Sequence, residues 1–185
     1  MRIVGGEFRG RKLETPATDE IRPTTDRARE TLFNILAHRE EVDLDGARVL
    51  DLFAGTGALG CEALSRGARF CVFIEEGVEA RGLIRRNVET FGLQGRTKIY
   101  RRDATRLGGV GTFEPFDLLF ADPPYGKGLG ERALEAASSG GWLKPGALCV
   151  VEEAAASPFA PPEGFELVDE RTIAESRLRL LRAPI

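Results

Sequence analysis

Five short, largely apolar runs divide the chain at intervals that leave room for a helix between neighbours. They are Arg48 to Phe53, Phe70 to Ile74, Lys98 to Tyr100, Phe116 to Ala121 and Ala147 to Val151, and each reads as a buried strand. Between them, Ala80, Leu83, Ile84, Val88 and Phe91 recur at helical spacing over 78–91, closed by Gly92. Leu129 to Ala137 repeats that pattern. Earlier, Leu32, Phe33, Ile35 and Leu36 give a helix its apolar side, with Thr24 or Thr25 as N-cap. Gly141 to Gly146 predicts a turn, with Trp142 a packing residue, and the Ala- and Pro-rich residues 152–164 predict a loop. Phe165 to Thr172 and Arg177 to Arg182 alternate in character and predict an antiparallel pair. The expectation is one α/β domain over 1–185, with a mostly parallel seven-stranded sheet and helices on both faces, preceded by a hairpin arm over 1–20.

Composition narrows the class without choosing a function. A chain of 185 residues buries a real core without disulfides. Its net charge of −3 argues against a protein that coats nucleic acid wholesale. Local basic patches remain open, since they act within about 8–10 Å. Cys61, Cys71 and Cys149 are far apart, in apolar contexts, with no Cys-x-x-Cys pair or histidine cluster beside them. They read as small buried hydrophobes in a reducing compartment, and no metal is expected. His38, the single histidine, receives no function. No stretch could span a bilayer and no apolar leader opens the chain, so a cytoplasmic protein is expected; a monomer is expected as well.

Two motifs carry chemistry. The first strand runs into Ala54-Gly55-Thr56-Gly57-Ala58-Leu59-Gly60, a glycine turn that opens a helix. Gly55-x-Gly57-x-x-Gly60 satisfies the dinucleotide fingerprint, which by itself does not separate NAD from S-adenosylmethionine. Glu75 ends the second strand about twenty residues past Gly55, the spacing at which a carboxylate meets ribose hydroxyls. It fits better than Glu76 because it directly follows the apolar run; the alternative is a solvated strand-end acid. Asp122-Pro123-Pro124-Tyr125 follows the fourth strand, at the carboxyl edge where doubly wound sheets bind ligands. Its prolines end the strand and stiffen the loop.

The N-terminal dozen residues set Arg2, Arg9, Arg11 and Lys12 against a lone Glu7, with Phe8 expected as an exposed aromatic. Such a surface suits phosphate contacts and base stacking, or else forms a solvated edge hairpin. Arg22, Arg27 and Arg29 are more basic than packing needs. They are expected to hold an anionic substrate or a cofactor carboxylate near the helix start, the alternative being ordinary charge pairs.

The glycine turn paired with Asp-Pro-Pro-Tyr resembles the class I (Rossmann-like) S-adenosylmethionine-dependent methyltransferases that modify exocyclic amino groups. Arg2-Ile3-Val4-Gly5-Gly6, Arg9-Gly10-Arg11-Lys12-Leu13, Arg22-Pro23-Thr24-Thr25-Asp26-Arg27 and Glu30-x-Leu32-Phe33-Asn34 resemble the N-terminal signature of the RsmD-type bacterial 16S rRNA (guanine-N2) methyltransferases. Asp51 to Gly60, Glu62 to Ala68 and Asp122 to Tyr125 continue it over nearly the whole chain. The resemblance implies methyl transfer to a guanine N2 in 16S rRNA, on the small ribosomal subunit or an assembly intermediate, leaving S-adenosylhomocysteine. It places the cofactor against Asp51, Phe53, Ala54, Gly55, Thr56, Gly57 and Glu75. Asp103 would meet the adenine amino group with the Ala104 amide beside it, and Asp103 could also cap the next segment. Catalysis falls to Asp122, Pro123, Pro124 and Tyr125, and RNA contact to Arg2, Arg9, Arg11, Lys12, Arg22 and Arg27.

An aromatic amine is a weak nucleophile because its lone pair is delocalised into the ring. Two acceptors, the Asp122 carboxylate and the Pro123 carbonyl, would aim its nitrogen and favour pyramidal character, while the Tyr125 ring faces the extruded base. Rival readings are an adenine-N6 DNA or RNA methyltransferase, a protein-glutamine methyltransferase, an NAD-dependent oxidoreductase, and a cofactor-binding RNA module without turnover.

Overall fold

The computed structural model describes residues 1–16 and 25–185, so Arg22, Pro23 and Thr24 lie outside the described residues. The apolar runs form five adjacent strands of a seven-stranded sheet. Strands β1 (Arg48–Leu52), β2 (Phe70–Ile74), β3 (Thr97–Tyr100), β4 (Phe116–Ala121) and β5 (Leu143–Ala154) are parallel. Strands β6 (Glu166–Ile173) and β7 (Ser176–Arg182) add an antiparallel hairpin, giving the order β3-β2-β1-β4-β5-β7-β6. The chain builds outward from β1 to β3, then crosses back to set β4 on the other side of β1, with Leu52 beside Ala121. At that reversal the loops leaving β1 and β4 part in opposite directions and leave a crevice between them.

Helices cover both faces. Helix α1 (Asp26–Leu36) starts on Thr25, whose hydroxyl accepts from the Ala28 amide at 3.1 Å. Phe33 of α1, Leu64 of α2 (Ala58–Ser65) and Ile84 of α3 (Val78–Thr90) bury in one core with Leu118, Phe120 and Val150. On the opposite face Ala133, Leu134 and Ala137 of α4 (Leu129–Ser139) bury with Leu119, Cys149 and Val151. Successive strand residues thus feed opposite cores, as the two-residue period of a pleated strand requires. Helix α2 lies so close to β2 that a Cβ on Gly60 would stand 2.4 Å from a Phe73 ring carbon and 2.7 Å from the Cys71 sulfur. Burial pushes the Cys61, Cys71 and Cys149 thiols up, away from the reactive thiolate.

Three expectations need correction. Leu143 to Gly146, expected within a turn, and residues 152–154, the start of the expected loop, both belong to β5, which runs from Leu143 through Ala154, while Gly141 keeps its turn. Its register against β4 shifts between Phe116 and Leu118, which accommodates Pro145 and a positive φ of 74° at Gly146. Phe8 is not exposed. The arm closes with Ile3 donating to Arg11 and Leu13 to Met1, each at 3.0 Å, and Phe8 folds under it to stack on Phe91 at 5.1 Å. Arg29 faces no ligand: it is fully buried, paired with the equally buried Glu62 at 2.9 Å and with Asp26. Among the described residues, no helix is long and apolar enough to cross a membrane, and no group of three or more His, Cys, Asp or Glu could hold a metal ion.

Candidate active site

A cavity of about 940 Å³ opens over the crevice, a volume suited to a cofactor-sized molecule. Its floor is the turn after β1. Phe53 has φ 53°, a left-handed backbone that a bulky residue adopts only under constraint. Gly57 has φ 79°, and a Cβ there would press Ile84 and Phe73 at 3.3 Å. The turn is tied from two sides. Glu75 accepts from the Gly55 amide at 2.8 Å and the Gly77 amide at 2.9 Å, one bond to each oxygen. A carboxylate has about four acceptor sites, so lone pairs remain for a ribose diol. On the other side the Asn87 amide donates to the Thr56 carbonyl at 3.0 Å while its oxygen accepts from Glu14 at 2.7 Å. Asn87 escaped the sequence reading, because a polar residue inside a helix gives no signal of a partner that distant.

Asp51 lies beneath the turn, 1% exposed, and accepts from the Gly60 amide at 3.0 Å. Burial raises its pKa well above the usual carboxylate range; the Gly60 amide opposes the shift, and Asp122 and Glu75 add to it. A carboxyl whose folded pKa exceeds its unfolded value near 3.9 favours folding most in acid, and that favour is lost as pH rises through the folded value. Asp51→Asn, which cannot ionise, should therefore gain urea resistance over the parent between pH 5 and pH 8. A midpoint difference that stays constant across that range would mean that folded Asp51 is already ionised, as in the unfolded chain.

Asp103 caps a short 3-10 turn, Ala104–Arg106. Its Oδ1 accepts from the Thr105 hydroxyl at 2.7 Å and amide at 2.8 Å, and these bonds hold its pKa down. It stays anionic. Opposite, Asp122, Pro123, Pro124 and Tyr125 line the same cavity.

Of the expected cofactor residues, Asp51, Phe53, Ala54, Gly55, Thr56, Glu75 and Asp103 line the cavity, while Gly57 and Ala104 are buried outside its lining. Arg2, Arg9, Arg11, Lys12 and Arg27 are exposed and lie apart from it. Two of them are already engaged, Arg2 with the Gly10 carbonyl at 2.8 Å and Arg11 with that of Thr90 at 2.9 Å. Residues the sequence reading did not assign to the site include Val78, Glu79, Thr105 and Arg132. Val78 had one signal, an apolar residue opening a helix, and it is 76% exposed. The lining is strongly acidic: Asp51, Glu75, Glu76, Glu79, Asp103 and Asp122 stand against Arg132.

Residues 1–182 match the family model described as conserved hypothetical protein 95. Ribosomal RNA small subunit methyltransferase D of Escherichia coli (strain K12) is 38% identical over 181 residues, 97% of this chain and 88% of that protein. Its namesake in Haemophilus influenzae is 35% identical over 185 residues, covering 97% and 92%. The structure of yhhF from Escherichia coli, 34% identical, aligns with a TM-score of 0.84 over 100% of this chain and 98% of that one.

Proposed function

The chain belongs to the RsmD-type family described as conserved hypothetical protein 95, and from that premise we propose that it transfers a methyl group from S-adenosylmethionine to the exocyclic N2 amino group of a guanine in small-subunit ribosomal RNA. One observation carries the reading: the glycine turn with Asp51 and the Asp122–Tyr125 loop, about seventy residues apart in sequence, line one cavity. Its charge supports the cofactor. Five acidic side chains besides the buried Asp51 face one arginine, which suits a cationic sulfonium with an ammonium group and opposes the pyrophosphate of NAD. This disfavours the oxidoreductase.

Glu75 would hold the ribose hydroxyls, Asp103 the adenine amino group, and the glycine turn the methionine portion. When bound, S-adenosylmethionine supplies a methyl group on a sulfonium, already a good leaving group. Asp122 and the Pro123 carbonyl accept the two hydrogens of the target amine, and Pro123 brings no competing N–H. They point the nitrogen lone pair and stabilise the positive charge it gains as the N–C bond forms. The amine would give its extra proton to solvent water after that bond exists, so Asp122 works as a hydrogen-bond acceptor rather than as a base acting first. Tyr125 offers a ring face to the extruded base.

The test is tritiated methyl transfer into small ribosomal subunits from cells lacking the enzyme, followed by nucleoside mass spectrometry. Label in N2-methylguanosine is expected. Label in N6-methyladenosine, or none in RNA, would overturn the assignment. Arg9 and Lys12, exposed on a docked hairpin, would meet phosphates. Neutralising both should flatten the salt dependence of RNA binding by about 0.7–0.9 in log–log slope for each phosphate no longer neutralised. An unchanged slope would return the arm to a purely structural role.

A further inference from the structure

Strands β4 and β5 are parallel and adjacent, with Ala121 beside Val151, so the Asp122 loop leaves the sheet where β5 continues through residues 152–154, paired there with β7. Two consecutive glutamates meet that loop from behind. The Tyr125 hydroxyl donates to Glu152 Oε1 at 3.0 Å, and the Gly126 amide donates to Glu153 Oε1 at 2.9 Å. Glu153 is 2% exposed and its oxygen also accepts from the Ala154 amide. The two neighbouring glutamates thus hold two successive residues of the loop, Tyr125 by its side chain and Gly126 by its backbone.

The grip falls where the loop needs it. Pro123 and Pro124 stiffen the chain up to Tyr125. Beyond it come Gly126 and Gly128, with φ of 76° and 66°, a stretch whose backbone has little intrinsic preference. Tyr125 sits at that junction and lines the cavity. The phenol oxygen lies on the axis of χ2, so a bond at that far end of the side chain limits the swing about χ1 and fixes where the ring stands.

We propose that Glu152 is a positioning residue, which sets where the Tyr125 ring stands against the target base through the bond to the phenol. The proposal rests on the reading of this cavity as an amine methylation site. Geometry at a reacting centre is sensitive, and a displacement of about 1 Å can cost on the order of 100-fold in rate. Partial loosening of one ring should cost about tenfold, half that effect on a logarithmic scale.

Four variants test it: Glu152→Ala, Glu152→Gln, Tyr125→Phe and the pair Glu152→Ala with Tyr125→Phe. Each alanine or phenylalanine change should lower kcat about tenfold with KM for S-adenosylmethionine unchanged, and the pair should be no worse than either alone. Glutamine keeps the acceptor and should restore most of kcat. A second measurement reads the hydrogen bond without turnover. The chain has two tyrosines, Tyr100 and Tyr125, so in a Tyr100→Phe background tyrosinate absorbance follows Tyr125 alone. The phenol should ionise at lower pH in Glu152→Gln than in the parent, because the carboxylate charge opposes phenolate. Identical titrations would overturn the pairing of Tyr125 with Glu152. An active parent with unchanged kcat in Glu152→Ala, or losses that multiply in the pair, would overturn this proposal alone. A parent that binds no S-adenosylhomocysteine and transfers no methyl would overturn the site reading, and the positioning role with it.

Discussion

Asp122→Ala should lower kcat for methyl transfer by about 10²–10³-fold, the scale of removing one preorganised electrostatic partner of developing charge. The carboxylate would accept from the target amine only in the reacting complex, so the loss belongs in kcat. Affinity for S-adenosylhomocysteine, which carries no sulfonium charge, should change by about threefold or less, under about 1 kcal/mol. Asp122→Asn keeps an acceptor but loses the charge and should fall between. Asp122 shares the cavity with Asp51, and its charge is one cause of the raised Asp51 pKa. The alanine variant should therefore also ease the acid-favoured stability argued for Asp51. Full methylation by Asp122→Ala would remove the loop from the chemistry and leave a cofactor-binding module.

Much of this site was legible because its parts announce themselves locally. Strands buried on both faces are continuous apolar runs, and Phe70–Ile74 and Phe116–Ala121 form over the expected residues. The glycine turn is written in residues whose backbone nothing else tolerates so readily. What stayed hidden depends on partners distant in sequence. Pro145 and Gly146 argue locally for a turn, yet Leu143 pairs with β4 before them, Leu148 pairs with β4 and β7 after them, and the Gly146 amide donates to the distant Pro184 carbonyl at 3.2 Å. Glu152 and Glu153 look like solvated loop acids until the Asp122 loop lies across them. Phe8 looks exposed because a basic hairpin shows no core of its own, and Phe91, far along the chain, supplies one. Arg29 misleads most, since an arginine on an amphipathic helix is ordinarily solvated and its partner Glu62 is 33 residues away.

That buried pair yields the largest expected effect on stability. Glu62 Oε1 accepts from the Val4 amide at 3.0 Å and from Arg29 at 2.9 Å. Its Oε2 accepts from the Gly5 amide at 3.0 Å and from Arg66 at 2.9 Å. One carboxylate in the middle of α2 thus fastens the arm, α1 and its own helix together, just below the glycine turn. Glu62→Ala leaves the Arg29 guanidinium buried without this charge partner and two arm amides unpaired. Removing one member of a buried ion pair costs about 3–5 kcal/mol. At roughly 2–4 °C per kcal/mol for a chain of this size, the melting temperature should fall by roughly 6–20 °C. The arm should loosen first, with hydrogen exchange at Val4 and Gly5 accelerating more than at the central strands. Arg29→Met with Glu62→Leu removes both charges and should recover much of the lowered midpoint, because no isolated charge stays buried. It should not restore protection at Val4 and Gly5, whose acceptor is gone. A midpoint for Glu62→Ala within about 2 °C of the parent, roughly 1 kcal/mol or less, would mean the arm is held by Ile3, Phe8 and Leu13 packing instead.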